Sequence, residues 1–229
     1  TGEVGLLALK GGVEVSNSQI EASDVFIDGS NTQKEPKEGL DKYINNGTVT
    51  TNGGNGVFIA NSTIAAKEDL SLEGEGSDFG VLLFDNTNLS MEDGDIEIVS
   101  KGQDGISIWG KDINITSVKG DITITGEASD GLAVDIDEGP AIKALNGNIT
   151  IDGTCKKDSK KPSLAISIDE NVTISAPNGI VTIKGEGSGD NLGYLIGEDN
   201  VTIEGKEVVY EGDKLEQDAV MKAYNLDPS

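Results

Sequence analysis

The chain has 229 residues, 35% hydrophobic and only 4% aromatic, with 31 Gly, 5 Pro and a single Cys. Its 41 acids outnumber 17 basic residues for a net charge of −24, and every basic residue is Lys because the sequence holds neither Arg nor His. Ser–His and Cys–His catalytic centres and the commonest nitrogen ligand for zinc are thereby excluded, no guanidinium fork is present to grip a carboxylate or phosphate, and the surface field disfavours nucleic acid and anionic lipid.

The chain opens in mid-pattern at Thr1-Gly-Glu-Val, with no charged-then-apolar leader, and is expected to be a piece of something longer. Leu6-Leu-Ala-Leu, Val13-Glu-Val and Asp24-Val-Phe-Ile-Asp-Gly then alternate as strands do. Residues 30–45 are polar and Pro-interrupted, which predicts a looped insertion with a short helical turn at Leu40 to Ile44.

One shape then recurs, an alternating strand opened by an acid or amide and closed by Gly. It appears as Asp69-Leu-Ser-Leu-Glu-Gly, Asp95-Ile-Glu-Ile-Val, Asp121-Ile-Thr-Ile-Thr-Gly, Asn148-Ile-Thr-Ile-Asp-Gly and Ile180-Val-Thr-Ile-Lys-Gly, with first residues 26, 26, 27 and 32 apart. A second segment follows an Asx-Gly or Gly-containing corner, as in Asp78-Phe-Gly-Val-Leu-Leu-Phe, Asp104-Gly-Ile-Ser-Ile-Trp and Asp130-Gly-Leu-Ala-Val-Asp-Ile. The third is usually Asn-led: Asn61-Ser-Thr-Ile, Asn88-Leu-Ser-Met, Asn114-Ile-Thr-Ser, Ala141-Ile-Lys-Ala, Asn171-Val-Thr-Ile and Asn200-Val-Thr-Ile.

Three strands per period predict an all-β fold, a right-handed parallel β-helix solenoid of about eight rungs, each of three strands. Alternation sends Leu70 and Leu72, Ile96 and Ile98, Ile122 and Ile124, Ile149 and Ile151, and Val181 and Ile183 to one interior face. The expected domain spans residues 1–205, with insertions at 30–45 and 154–162. Residues 206–229 form a cap or linker in which Asp213-Lys-Leu-Glu reads as a capping box ahead of a short helix through Tyr224.

The Asn/Asp-Ile/Val-Thr-Ile strands with Gly corners, across most of residues 46–205, resemble the filamentous adhesins exported by two-partner secretion, of the filamentous haemagglutinin and high-molecular-weight adhesin type. The stretch Gly39-Leu-Asp-Lys-Tyr-Ile-Asn-Asn-Gly-Thr-Val-Thr-Thr, followed by Val57-Phe-Ile-Ala-Asn-Ser-Thr-Ile, is the closest in texture. The resemblance implies a secreted protein at the surface of a Gram-negative bacterium, an outer-membrane secretion partner for the parent protein, and a host-cell glycan or surface protein as ligand.

Exposed rings stack on sugars and anchor interfaces, and insertions at corners are where such repeats bind. The predicted ligand-binding residues are therefore Phe79, Trp109 and Tyr194 on the second-strand face, with Lys156, Lys157, Lys160 and Lys161 in the 154–162 insertion. An inward, core placement stays open for Phe84 and Trp109. Seven Asn-x-Ser/Thr sequons, at Asn46, Asn61, Asn88, Asn114, Asn148, Asn171 and Asn200, read as stacked amide ladders or, through the resemblance, as sugar acceptors.

No cofactor is predicted; calcium has a basis only in oxygen clusters such as Glu92, Asp93 and Asp95. The protein is expected not to be an enzyme, although outward acids such as Glu97 and Glu73 keep polysaccharide hydrolysis as a third reading after a passive stalk. No apolar run reaches the ~20 residues needed to cross a bilayer. Cys155 has no partner within the chain, and a monomer without direct membrane insertion is expected.

Overall fold

The computed structural model describes residues 2–8, 12–31, 54–156, 163–187 and 192–215. Its strands are β1 (Val4–Ala8), β2 (Val13–Ser16), β3 (Gln19–Asn31), β4 (Val57–Ala60), β5 (Thr63–Gly76), β6 (Phe79–Phe84), β7 (Asn88–Met91), β8 (Ile96–Gly102), β9 (Asp104–Trp109) and β10 (Asn114–Ser117). They continue as β11 (Ile122–Ala128), β12 (Leu132–Asp137), β13 (Ala141–Ala144), β14 (Ile149–Cys155), β15 (Leu164–Ile168), β16 (Thr173–Glu186), β17 (Leu192–Ile196), β18 (Thr202–Gly212) and β19 (Lys214–Leu215). Every pairing among them is parallel.

Two hydrogen-bonded sheets result, one of eleven strands and one of eight that runs in the order β19-β17-β15-β12-β9-β6-β4-β2. In the larger sheet the pairings close into a circuit of eight strands, as in a barrel: β5-β7-β10-β13-β16-β14-β11-β8 and back to β5. The circuit closes because β5 pairs with β7 along residues 63–66 and with β8 along 70–75, while β16 likewise pairs with β13 and then β14.

These findings correct the expected right-handed β-helix solenoid of separate three-strand rungs. At β5 and β16 the third segment and the following first segment run on as single strands of 14 residues each, and β3 and β18 are likewise long, at 13 and 11 residues. The backbone stays extended where a corner was expected, so two sheets and a closed circuit replace three independent stacks. The expected C-terminal helix is also corrected at its start, for Lys214–Leu215 is strand and pairs with β17; the described residues contain no helix, and Glu216 to Tyr224 lie outside them. β18 runs through the expected domain boundary at 205.

The interior follows from alternation. Leu70, Ile96, Ile122, Ile149 and Val181 are in register, as are Leu72, Ile98, Ile124, Ile151 and Ile183, and all ten are at most 1% exposed. Val57, Val81, Ile106, Val134 and Ile166 of the eight-stranded sheet are likewise in register and fully buried.

Between successive levels the opening acid or amide has a clear structural task. Asp95 Oδ1 accepts the Asp121 N–H (2.7 Å), Asp121 Oδ1 accepts the Asn148 N–H (2.7 Å), and Asn148 Oδ1 accepts the Ile180 N–H (2.9 Å). The glycine just before lies against the level below: a Cβ on Gly147 would sit 2.0 Å from the Gly120 carbonyl oxygen, and one on Gly179 2.0 Å from that of Gly147.

Candidate functional site

The eight-stranded sheet turns a second set of side chains away from the interior. Register places Leu82, Ser107, Asp135 and Ser167 in one outward column and Phe84, Trp109 and Asp137 in another. With Phe79, Asp104, Leu132 and Glu138 these residues of β6, β9 and β12 line a groove of about 400 Å³. It spans three strands, a width of about 10 Å at roughly 4.8 Å per strand.

The groove is graded along the sheet. Its β6 end is apolar, with Phe79, Leu82 and Phe84, and the Phe84 ring lies against Trp109 at 5.3 Å between centroids and a 53° tilt. Leu82 belongs to a small cluster with Phe58 and Ala60, separate from the main core. The β12 end presents Asp135 and Asp137, with Asp104 on the strand between and Glu138 just beyond, and no lining residue is basic.

Crowded, desolvated carboxylates resist ionisation. Burial, and then repulsion from Asp137, Asp104 and Asp169, pushes Asp135 up to about 7. Asp104 and Asp137 are also raised, each chiefly by burial; the Leu132 N–H on Asp104 Oδ1 (2.7 Å) and the Glu138 N–H on Asp137 Oδ1 (2.7 Å) oppose the shift. Asp78 is raised by burial and then by Asp104.

Two polar groups that line the groove have no protein partner among the described residues. Ser107 is 4% exposed and partly buried Asp135 lies beside it in register, yet among the described residues neither side chain has a hydrogen-bond partner. Neither is among the fully buried unpaired polar atoms, so both oxygens open onto the groove and are available to a ligand that enters it.

The predicted residues divide. Phe79 and Trp109 line the groove, and Phe84, for which a core position stayed open, lines it too. Tyr194 does not join them: it is in register with buried Ile166, is 5% exposed, and stacks on Tyr210 at 5.7 Å and 15°. Lys156 pairs with Glu127 (2.9 Å) and is not among the groove's lining residues; Lys157, Lys160 and Lys161 lie outside the described residues. Asp104, Ser107, Asp135 and Asp137 were not singled out from the sequence, although the alternation Ala133-Val-Asp-Ile-Asp would have placed both of the latter acids outward.

The sequons fall into different places. Asn61, Asn171 and Asn200 sit at corners with φ of 48°, 62° and 59°, where Asn tolerates a left-handed backbone. Asn86 Nδ2 donates to Asn61 Oδ1 (3.1 Å) and Asn200 Nδ2 to Asn171 Oδ1 (3.0 Å). Asn88 and Asn114 are paired with each other two residues further on, inside β7 and β10, so the five do not form one ladder. Asn148 is occupied in the capping series above, and Asn46 lies outside the described residues.

Among the described residues no group of three His, Cys, Asp or Glu is arranged to hold a metal. Of the acids considered for calcium, Asp93 is hydrogen-bonded to Lys119 and Asp95 caps the Asp121 N–H. Glu97 is in register with Ser71 and Thr123, and Glu73 with Val99, so these acids stand two positions apart along neighbouring strands. No helix among the described residues is long and apolar enough to cross a membrane.

No family model, curated protein or solved structure matches this chain.

Proposed function

We propose that this chain is a non-enzymatic segment of a secreted bacterial surface adhesin, whose groove on β6, β9 and β12 engages a receptor on host cells. The observation that carries the reading is the groove itself: Phe79, Phe84 and Trp109 gather with unpartnered Ser107 and Asp135 on three adjacent strands. Structural packing alone does not call for this, since aromatic rings beside open polar groups gain from a partner that covers them. The sequence resemblance to two-partner-secretion adhesins supports a surface location and a secretion partner for the parent protein.

The test is binding of the labelled 229-residue chain to cultured epithelial cells, with Trp109→Ala as the comparison. Saturable binding that falls at least about tenfold in the variant is expected, as for loss of a central aromatic anchor. Saturable binding unaffected by Trp109→Ala would refute the groove as the site, and no saturable binding would favour a passive stalk.

A further inference from the structure

Resting on that reading, we infer that the groove receives an arginine side chain of a protein partner, its aliphatic stem over Phe84 and Trp109 and its guanidinium against Asp135 and Asp137. The shape and the charge both lead there. The lining passes from apolar on β6 to acidic on β12 over about 10 Å, which matches an apolar stem ending in a cation.

Charge separates this ligand from others. Asp104, Asp135, Asp137 and Glu138 line the groove with no cation among the lining residues, and Asp169 adds to the field at Asp135. A neutral sugar would leave that repulsion in place, and an anionic one would increase it. A guanidinium removes it, offers five donors where Asp135 has no partner among the described residues and Asp104 and Asp137 each hold a single N–H, and stacks on an indole face. The chain itself holds no arginine, so none of its own residues can supply this fit from another copy.

Trp109 is the sole tryptophan, and its indole N–H resonance therefore reports on the groove alone. The experiment titrates the full 229-residue chain with an Ala-Ala-Arg-Ala-Ala peptide, blocked at both ends, and with the same peptide carrying citrulline, which keeps the shape and removes the charge. A saturable shift of the Trp109 indole signal by the arginine peptide is expected, with citrulline at least about tenfold weaker. Asp135→Asn and Asp137→Asn should each weaken the arginine peptide severalfold, while Glu97→Gln, on the other sheet, should leave it unchanged.

Equal shifts from both peptides, or equal weakening by Glu97→Gln, would overturn the inference. A chain that binds cells through Trp109 but ignores the arginine peptide would also overturn it and leave the adhesin reading standing. Failure of both assays would remove the two together.

Discussion

Replacing Asp135 by Asn should stabilise the protein above neutral pH and do nothing at pH 4. In the folded protein the Asp135 carboxyl is pushed from an ordinary 3.8 to about 7. The fold thus favours the protonated form, and the sign follows: any destabilisation is absent below about pH 4, grows as pH rises toward 7, and is constant above that. A shift of about three units corresponds to roughly 4 kcal/mol. Asp135 keeps some contact with solvent, so screening should reduce this to about 1–3 kcal/mol. Urea unfolding at pH 4, 6 and 8, followed through Trp109 fluorescence, measures it. Wild type should lose stability across this range, and the Asn variant should lose markedly less, so that the two curves meet at pH 4 and diverge by pH 8. Curves for wild type and variant that stay parallel from pH 4 to pH 8 would refute the assignment of repulsion to Asp135.

Gly147→Ala should cost at least about 2 kcal/mol, because its Cβ would meet the Gly120 carbonyl oxygen at 2.0 Å and backbone on both levels would have to shift; an unchanged thermal midpoint would show that the stack relaxes freely. Cys155 is buried, and burial pushes its thiol up to about 11, so a disulfide reagent at pH 8 should label it only under unfolding conditions. Rapid labelling of the native protein would contradict that burial.

Much of the interior was legible because strand side chains repeat every two residues. Leu70 with Leu72 and Ile122 with Ile124 could face one way only if Asp, Thr and Glu between them faced the other. The acid that opens each strand was visible as a pattern, while its task was not: Asp121 caps an N–H that lies 27 residues later in the chain. Two kinds of sequence motif take different places in the structure for a shared reason. Asn61 and Asn88 open similar tetrapeptides, yet one is a corner residue and the other lies within a strand. Tyr194 follows Leu-Gly where Val81 follows Phe-Gly, and register with Ile166 places it inside. In both cases the local motif does not itself fix where its strand begins.

The amino-acid sequence by itself determined the all-β character, the inward aliphatic columns and the chemistry closed to a chain without His or Arg, since these depend on residue type and short-range alternation. Tertiary structure alone decided that β5 and β16 run through to close a circuit, and that Phe84, Trp109 and Asp137 stand side by side. Residues about 26 apart meet only when register is set between strands, and that register made Asp135 a crowded carboxyl instead of one more surface acid.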